Sequence, residues 1–380
     1  MTTVVHVLEA LEGGTARHVT DVVTHVVGVT HHVVVPHERV GGTTDRLAVP
    51  GMQAAGAEVH RVEMRRFPIS PRNGAALVEL RRLLHRLRPD VVHGHSAVGG
   101  ALARTAAAGL PTLRVYTPNG LHPSLAATVA ERGLRRATDR FVAVSAGEAV
   151  VAMARGITDP DHTCVIPNGI DLTSGADETG APDLRRVAGV PERAPLLGFV
   201  GRLAAQKCPE AVVAVVAQLG DRVPDLHAVM IGGGRMEDAV RRSVAQHGVQ
   251  GRVHLVGHLP GARRIMGQLD ALILPSRYEG CPYAVIEAMH AGTPVVVSDA
   301  VGNRDVVSDG VTGRVVRTGD VAAMADAVAE AMARGPGVQS AIEAARGRVR
   351  ALHDVRSTSA ALARLYSGEP VRTISDNSSA

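Results

Sequence analysis

Two glutamates flank the start of a predicted helix in the segment EGCPYAVIE. Glu279 lies in the polar loop before the helix, whereas Glu287 lies within it and is the only charged residue of an apolar run. A helix that is apolar nearly all round is buried, and a buried carboxylate needs a hydrogen-bond donor. No Arg or Lys lies one helical turn away to supply it. Glu287 is therefore predicted to pair with a distant Arg, with solvent or with a ligand.

The same helix start predicts an anion site. The surrounding sequence has the pattern of a strand, a short loop, a helix opened by Pro282 and ended by Gly292, and a second strand. Amides at a helix start bind anions, aided by the helix dipole. Here the residues that supply such amides include Cys281, Tyr283 and Ala284. An anion held there, with carboxylates on either side to accept hydroxyl hydrogen bonds, is the pattern expected for a phosphorylated sugar or a nucleotide sugar.

Two cations in the segment GFVGRLAAQK are predicted to complete this site. Gly201 ends a predicted strand and would let a ligand approach the backbone, and Arg202 and Lys207 follow in the loop. Arginine offers a planar fork to phosphate oxygens, and lysine a compact point charge. Lys207 is the only lysine in the sequence. With the helix-start amides, these cations predict a diphosphate site, and the glycines from Gly232 to Gly234 predict a second close approach of the backbone.

Several other functions fit the sequence poorly. Neither EGGTAR nor GGGRME has the G-x-G-x-x-G spacing of nicotinamide-linked dehydrogenases, and the P-loop pattern GxxxxGK[ST] does not occur. Nucleic-acid binding is disfavoured because the net charge is only +4 and the chain has four Tyr, three Phe and no Trp with which to stack bases.

The composition predicts a cytoplasmic protein. The three cysteines, Cys164, Cys208 and Cys281, have no metal-binding spacing and indicate a reducing compartment. The N-terminal segment lacks the basic region of a secretion signal, and no apolar run is long enough to span a membrane.

Alternating strand and helix patterns predict two doubly wound, Rossmann-like α/β domains facing a cleft, with ligands at the carboxyl ends of the strands. Strand candidates such as TVVHVL and ALILP are near-continuous apolar runs, as in parallel sheets covered on both faces. The expected organisation is an N-terminal domain (1–175), a linker (176–194), a C-terminal domain (195–350), a C-terminal helix that packs back on the first domain (351–366) and a disordered tail (367–380).

A predicted helix from about Gly74 to Leu87 has one strongly basic face. Leucines follow one side of this helix, and the opposite side carries Arg81, Arg82, His85, Arg86 and Arg88. A solvated face on a sheet-covering helix is the favoured interpretation. Attraction to an anionic membrane or to an acidic partner is the alternative.

These motifs together resemble the retaining glycosyltransferases of family 4, which have the glycosyltransferase-B fold of two Rossmann-like domains. The motifs run in order along nearly the whole chain: LEGGTARHV, DVVHGHS, VSAGE, VIPNGID, GRLAAQK, IGGG and EGCPYAVIE. The last contains the two-glutamate signature of the family and is the most specific of them.

The resemblance implies that the N-terminal domain (1–175) binds the acceptor and that the C-terminal domain (195–350) binds the nucleotide sugar. It also implies roles for the matching residues. The predicted catalytic residues are Arg202 and Lys207, which would hold the donor diphosphate and stabilise the leaving group, and Glu279, which would contact the donor sugar hydroxyls. Glu287 would contact the ribose, and Gly13 would lie near the acceptor. The other predicted donor-binding residues are Gly14, Gly201, Gly233, Gly280, Cys281, Pro282, Tyr283, Ala284 and Val285. No metal and no cofactor are implied, since family members usually need none and the nucleotide sugar is a co-substrate.

One position departs from the family pattern. Many family members have a His-Gly pair after the strand that matches TLRVYTP, and this chain has Asn119 before Gly120. Asparagine can hydrogen-bond a sugar hydroxyl but cannot carry a proton at neutral pH. His95 and His122 are the nearby candidates for contact with the acceptor or the sugar.

The resulting prediction is a retaining, metal-independent glycosyltransferase that moves a hexose or N-acetylhexosamine from a UDP-sugar. A small polar acceptor, such as an aminocyclitol in antibiotic biosynthesis, is favoured by the GC-rich, actinomycete-like composition, and Glu9, Glu12 and Asp21 would face a cationic one. The alternatives are a lipid or polysaccharide transferase at a membrane surface, a sugar-nucleotide 2-epimerase and a non-catalytic nucleotide-sugar-binding protein.

Overall fold

The computed structural model describes residues 1–11, 13–37, 48–65, 70–173, 181–259, 261–369 and 371. It divides the chain into two compact units, one formed by residues 1–168 with 355–380 and the other by residues 169–354. Each unit is a parallel sheet with helices on its faces.

The first unit has a seven-stranded sheet in the order β3-β2-β1-β4-β5-β6-β7. Its strands are β1 (Thr2–Leu8), β2 (Val29–Val35), β3 (Glu58–Arg61), β4 (Val91–His95), β5 (Leu113–Thr117), β6 (Arg140–Ala143) and β7 (Thr163–Val165). Its helices are α1 (Gly13–His25), α2 (Ala48–Ala54), α3 (Pro71–Leu87), α4 (Ala97–Ala106), α5 (Leu125–Gly133), α6 (Ala146–Ala154) and, from the end of the chain, a helix over Val355–Tyr366. Short 3-10 helices cover Arg135–Ala137 and Pro160–His162.

The second unit has a six-stranded sheet in the order β10-β9-β8-β11-β12-β13. Its strands are β8 (Leu196–Val200), β9 (His227–Ile231), β10 (Val253–Gly257), β11 (Ala271–Leu274), β12 (Val295–Ser298) and β13 (Arg314–Val316). Its helices are α7 (Leu184–Ala188), α8 (Pro209–Gln218), α9 (Glu237–Gln246), α10 (Tyr283–Ala291), α11 (Val301–Val306), α12 (Val321–Ala333) and α13 (Pro336–Leu352), and a 3-10 helix covers Ala262–Gln268. The helix over Val355–Tyr366 is therefore α14.

Both sheets have the strand order of a doubly wound fold. In each unit the winding reverses beside the first strand, between β1 and β4 in one and between β8 and β11 in the other. Ligands of such sheets bind at this reversal, outside the carboxyl ends of the strands. The two doubly wound domains of the predicted fold class are thus confirmed.

The boundaries of the units differ from the prediction. The first unit ends at residue 168 rather than 175, and residues 351–354 belong to the second unit. The predicted linker contains α7, which the second unit includes because Leu184 is fully buried and its amide donates to Gln268 Oε1 (2.8 Å). Residues 174–180, and in the predicted tail 370 and 372–380, lie outside the described residues.

Two helix starts also differ from the prediction. The sequence pattern predicts a loop over EALEGGTAR and a helix only from His18, but α1 begins at Gly13. Ala16 and Val19 are buried, and their burial outweighs the low helix propensity of glycine. Helix α10 begins at Tyr283, because Pro282 has the extended ψ of 111° and is the residue before the helix rather than its first residue. Gly292 ends α10 in the left-handed conformation, as predicted.

In the part of the chain that the structure describes, no helix combines the length and apolar character needed to cross a membrane.

Candidate functional site

Apart from Gly14, the predicted donor residues lie in the second unit, around its winding reversal. Arg202 and Lys207 follow β8, and Glu279 follows β11, the strand next to β8 in the sheet. Since carboxyl ends of parallel strands share one edge of a sheet, segments far apart in sequence meet there.

Lys207 and Glu279 form an ion pair across these two segments. Lys207 Nζ lies 2.6 Å from Glu279 Oε1, and the side chains are only 15% and 7% exposed. A largely buried ion pair is held at a cost in solvation, so removal of one partner leaves a charge without compensation. The pair places an ammonium group and a carboxylate in one small volume.

Gln206 links the same two segments beside that ion pair. The side-chain Nε2 of Gln206 donates to the backbone carbonyl oxygen of Tyr278 (2.9 Å). The backbone carbonyl oxygen of Gln206 accepts from the backbone amide of Arg277 (2.8 Å). Its Oε1 also accepts a hydrogen bond from the Arg202 guanidinium (3.2 Å). The sequence analysis did not select Gln206, although it lies within GRLAAQK between the two selected cations.

The Tyr278 phenol reports the electrostatics of this cluster. Burial raises its pKa, the positive charge of Arg202 opposes that rise, and the negative charge of Glu279 adds to it. Arg202 and Glu279 therefore both lie close enough to Tyr278 to act on its side chain.

The glycine turn after β9 packs directly on the loop that holds the cations. A Cβ atom on Gly232 would meet the Gly201 carbonyl oxygen at 2.1 Å, and one on Gly234 would meet the Leu203 carbonyl oxygen at 2.4 Å. The amide of Leu203 donates to the carbonyl oxygen of Gly233 (2.9 Å). The close approach seen at this turn is therefore between two backbone segments of the protein. Gly201 itself has room for a Cβ, with Lys207 Cε nearest at 3.6 Å.

Helix α10 presents its first turn at the same edge of the sheet. The amides of its first turn point toward the helix start, where the dipole favours an anion. The amide of Val285 donates to the carbonyl oxygen of Pro282 (3.1 Å), which is the first hydrogen bond of the helix. The predicted anion-binding amides of Tyr283 and Ala284 lie before it. Cys281 and Glu287 are buried.

The loop that carries Glu279 rests on α11. A Cβ on Gly302 would meet the carbonyl oxygen of Gly280 at 2.2 Å, so the helix and the loop are in direct backbone contact. Ser298 donates a very short hydrogen bond to the carbonyl oxygen of Ser276, and Asn303 Nδ2 donates to Ser298 Oγ (3.1 Å). These contacts fix both ends of the loop.

The predicted residues of the first unit lie near the ends of β1 and β5. Gly13 and Gly14 are exposed and open α1. Asn119 has a positive φ of 55°, and its Oδ1 is buried without a hydrogen-bond partner. The adjacent Gly120 amide donates to buried Glu148 (2.6 Å). An unpaired acceptor beside a fixed turn suits a hydroxyl or ammonium donor from a ligand. His122 is exposed after β5 and bonds to Ser124 Oγ (3.0 Å).

His95 is not available for the contact predicted for it, since it is fully buried. Its ring lies in a histidine cluster that the sequence analysis missed, formed with His6, His18, His31 and His93. Burial lowers the pKa of His6, His93 and His95 well below the usual value, and that of His18 to about 4. The cluster is therefore neutral and part of the core.

Glu9 also has a structural role. Its Oε2 accepts hydrogen bonds from the Gly99 amide (2.9 Å) and from Ser96 Oγ, at the start of α4. Glu12, the second acidic residue considered for a cationic acceptor, lies outside the described residues. Asp21 is paired with Arg17 (2.7 Å).

Among the described residues, two groups of side chains have the composition and proximity to hold a metal ion, namely His6 with His93 and His95, and His32 with Glu58 and His60. Both groups are in the first unit, and neither includes a residue of the donor cluster.

Comparison with family models matches both parts of the chain. Residues 12–174 match the model "Glycosyltransferase Family 4", and residues 181–348 match the model "Glycosyl transferases group 1".

Curated relatives from bacteria carry the same similarity. The chain is 30% identical over 282 residues to 2-deoxystreptamine glucosyltransferase of Streptomyces kanamyceticus, covering 67% of this chain and 71% of that one. It is 30% identical over 244 residues to UDP-Gal:alpha-D-GlcNAc-diphosphoundecaprenol alpha-1,3-galactosyltransferase of Escherichia coli. That similarity covers 60% of this chain and 62% of the galactosyltransferase, so less than two thirds of the length of the galactosyltransferase is matched.

Solved structures show the same fold at lower identity. The structure of Anabaena HepE in complex with UDP and glucose has a TM-score of 0.83 and 17% identity, covering 97% of this chain and all of that one. The glycosyltransferase WaaG, involved in lipopolysaccharide biosynthesis, has a TM-score of 0.74 and 17% identity, covering 96% and 100%.

Proposed function

The chain belongs to glycosyltransferase family 4, with the glycosyltransferase-B fold, and we propose that it is a retaining enzyme that transfers a hexose or N-acetylhexosamine from a UDP-sugar to a hydroxyl of a small polar acceptor. The observation that carries the proposal is the cluster of Arg202, Lys207 and Glu279 at the winding reversal of the second unit.

This cluster has the groups that a nucleotide-sugar donor requires. The Arg202 guanidinium and the Lys207 ammonium supply positive charge for a diphosphate, and the α10 start adds amide dipoles. The Glu279 carboxylate can accept hydrogen bonds from sugar hydroxyls. Because two cations and the amide dipoles can stabilise the charge of the leaving diphosphate, the proposed reaction needs no divalent metal ion.

The reaction breaks the bond between the anomeric carbon and the diphosphate oxygen and forms a bond from that carbon to the acceptor oxygen. In the proposed retaining course, the new bond forms on the face that the diphosphate leaves. The acceptor hydroxyl gives its proton to an oxygen of the departing diphosphate, so no protein base is needed. Arg202 and Lys207 stabilise the negative charge that grows on the leaving group, which lowers the barrier rather than tightening ground-state binding alone.

The acceptor proposal rests on relatives and on Asn119. Two relatives act on 2-deoxystreptamine by their names, the glucosyltransferase of Streptomyces kanamyceticus and the N-acetyl-D-glucosaminyltransferase of Streptomyces fradiae, the latter 29% identical. The unpaired Asn119 Oδ1 offers an acceptor atom to a hydroxyl or ammonium group. A polyhydroxylated aminocyclitol presents both kinds of donor.

A lipid-linked acceptor is the second candidate. The Escherichia coli galactosyltransferase acts on a diphosphoundecaprenol-linked sugar by its name. In addition, Arg82, His85, Arg86 and Arg88 are exposed on and beside α3. Such a face would approach an anionic membrane surface.

Calorimetric titration tests the donor site first. Purified protein is titrated with UDP, with GDP and with their common sugar conjugates, beside the variants Lys207→Ala and Arg222→Ala. Arg222 is the matched control, because it is an exposed cation before β9, at the amino end of that strand, and pairs with Asp326. Micromolar binding of UDP that is lost in Lys207→Ala and kept in Arg222→Ala supports the proposal, whereas folded protein that binds no nucleotide overturns it.

Product analysis then separates the candidate reactions. Mass spectrometry with UDP-sugars and aminocyclitols is expected to detect a glycosylated aminocyclitol, and nuclear magnetic resonance of the product establishes whether the anomeric configuration is retained. Transfer only to a lipid-linked sugar selects the second candidate. A new UDP-sugar formed without any acceptor identifies a 2-epimerase instead.

A further inference from the structure

Three ligand-type side chains meet on the edge of the first sheet. His32 lies on β2, and Glu58 and His60 lie on the neighbouring β3, where Glu58 is the register partner of His32. Because alternate residues of a strand share a face, as do register partners, all three side chains lie on the same side of the sheet. We propose that His32, Glu58 and His60 bind one zinc-like divalent cation.

The distances among the two ring nitrogens and the two Glu58 carboxylate oxygens are close to those between ligand atoms around zinc. His32 Nδ1 lies 3.0 Å from His60 Nε2 and 3.4 Å from Glu58 Oε2, and His60 Nε2 lies 3.6 Å from Glu58 Oε1. With zinc bonds of about 2.0–2.2 Å in a tetrahedron, two ligand atoms are about 3.3–3.6 Å apart. The cation therefore requires no rearrangement of the strands, only small rotations of the side chains.

The chemistry of the set also suits zinc. Two imidazoles and one carboxylate are a ligand set that zinc uses with a water molecule in the fourth position. Without a cation, one proton lies between the facing ring nitrogens of His32 and His60. Glu58 contacts the His32 ring through Oε2 and the His60 ring through Oε1. A divalent cation replaces that proton and binds all three groups at once.

The cation can reach this site from solvent. The Glu58 side chain is 66% exposed, and those of His32 and His60 are 10% and 16% exposed. By contrast, His6, His93 and His95 have no exposed surface, and both ring nitrogens of His6 and of His93 already have hydrogen-bond partners. The exposed triad is thus the better of the two candidate groups.

Arg86 lies close enough to act electrostatically on His60, and it repels a cation bound there. The affinity is therefore expected to be micromolar rather than nanomolar.

Zinc at this position would join the last two strands of the sheet. β3 is the edge strand, and β2 is its neighbour. An edge strand is held by one row of hydrogen bonds, so a cation shared by β2 and β3 stabilises the pairing. The expected consequence is a higher melting temperature with zinc, independent of nucleotide or acceptor.

The test titrates the full chain with ZnCl₂ in a calorimeter, without chelator or nucleotide. Wild type is compared with Glu58→Gln, with His60→Gln and with the control His254→Gln. The control removes one ring of a similar cross-strand pair, since His227 Nδ1 lies 2.9 Å from His254 Nε2, yet no third ligand completes that pair among the described residues. Wild type and control are expected to bind one zinc ion, and the two triad variants to bind it at least tenfold more weakly.

Thermal unfolding provides the second measurement. Zinc is expected to raise the midpoint of wild type and of His254→Gln and to leave that of Glu58→Gln unchanged. Since Glu58 is largely exposed, Glu58→Gln keeps the fold, and a loss of binding in it cannot be attributed to unfolding. Wild-type protein that binds no zinc, or triad variants that bind it as wild type does, would overturn the proposal.

Discussion

At the residue scale, the pair of Lys207 and Glu279 shows which part of the site the sequence reveals. Their types and their places after predicted strands identified both residues as candidates. Their contact spans 72 positions and depends on β8 and β11 being neighbours in the sheet. Sequence spacing cannot establish such a contact, because two adjacent strand ends and the conformations of two loops decide it.

Lys207→Ala is expected to lower kcat/KM for the UDP-sugar by about 10²–10³-fold. Removal of one preorganised group that stabilises transition-state charge has an effect of this size. Lys207→Arg is expected to restore the activity only in part, because the planar guanidinium cannot occupy the place of a compact ammonium beside Glu279. Steady-state kinetics measure the effect, with Arg222→Ala as the control of equal charge. A Lys207→Ala enzyme with wild-type kcat/KM would remove Lys207 from the catalytic group.

Gln206→Ala is expected to lower kcat/KM by about tenfold, which corresponds to about 1.4 kcal/mol. The substitution removes the hydrogen bonds to Arg202 and to the Tyr278 carbonyl oxygen, so both loops lose a fixed position. Gln206→Glu keeps an acceptor for Arg202 but loses the donor to Tyr278, and is expected to be intermediate. Equal activity of wild type and Gln206→Ala, measured at subsaturating donor, would show that the link is not needed.

At the element scale, the sequence predicted the alternation of strands and helices but not how closely they approach. The Val-rich strands and the glycine turn after β9 could be predicted from the sequence, because burial and backbone contact restrict the residue types. The contact of α11 with the donor loop could not be predicted, because a glycine at a helix start has several explanations. Helix starts were also misplaced at Gly13 and Pro282, where buried apolar residues and one ψ angle decide the boundary.

Gly302→Ala tests the support that α11 gives to the donor loop. The new Cβ would lie 2.2 Å from the Gly280 carbonyl oxygen, so the helix and the loop that carries Glu279 must move apart. We expect kcat/KM to fall by at least tenfold, with a melting temperature lower by a few degrees. Overpacking of this kind costs about 1–3 kcal/mol.

Gly347→Ala is the matched control for that substitution. Gly347 lies within α13, and a Cβ there would meet nothing within 4 Å. Alanine is the better helix former by about 1 kcal/mol, so Gly347→Ala is expected to be as active as wild type and slightly more stable. If the two variants were equally active, the loop would not depend on α11.

At the scale of the whole molecule, the two units share one topology but differ in what fills their cores. The sheet of the first unit holds histidines on β1, β2 and β4, where a Val-rich strand would usually continue with apolar residues. The sequence contained the signal in HHVVV and in VVHGH, where histidines lie next to buried valines in the same strand. It could not show that these rings meet, since that depends on the register of three strands.

The hydrogen bonds of the cluster define the proton on each ring. His31 Nε2 donates to the Val26 carbonyl oxygen (3.0 Å), so His31 Nδ1 accepts from His6 Nε2 (3.1 Å). His6 Nδ1 in turn accepts from His95 Nε2 (3.1 Å), which leaves His95 Nδ1 as a buried lone pair without a partner. Each of the three hydrogen-bonded rings of His31, His6 and His95 carries one proton. A second proton on any of them has no acceptor. The cluster is therefore stable only when neutral.

The first unit is accordingly expected to lose stability as the pH falls below about 6.5. In the unfolded chain histidine takes up a proton near that pH, whereas the buried rings remain neutral, and the pKa of His18 is about 4. The unfolded state then binds more protons, so the free energy of unfolding falls by about 1.4 kcal/mol per pH unit for each such histidine. For His18 alone the loss amounts to about 3 kcal/mol by pH 4. From about one pH unit above 6.5 the contribution is complete and constant.

Hydrogen exchange between pH 7.5 and 5, corrected for the intrinsic rates, measures this loss within one molecule. Peptides from β1 and β4 are expected to lose protection as the pH falls, and those from β8 and β11 serve as the internal control because no histidine lies in them. His18→Gln should make the decline shallower, whereas His85→Gln, at an exposed position of α3, should leave it unchanged. The carboxylates with lowered pKa, such as Asp159 at about 2, lose their contribution only at lower pH, so they do not account for a decline in this window. Equal protection of β1 at pH 7.5 and pH 5 would mean that the histidine cluster accepts protons in the folded state.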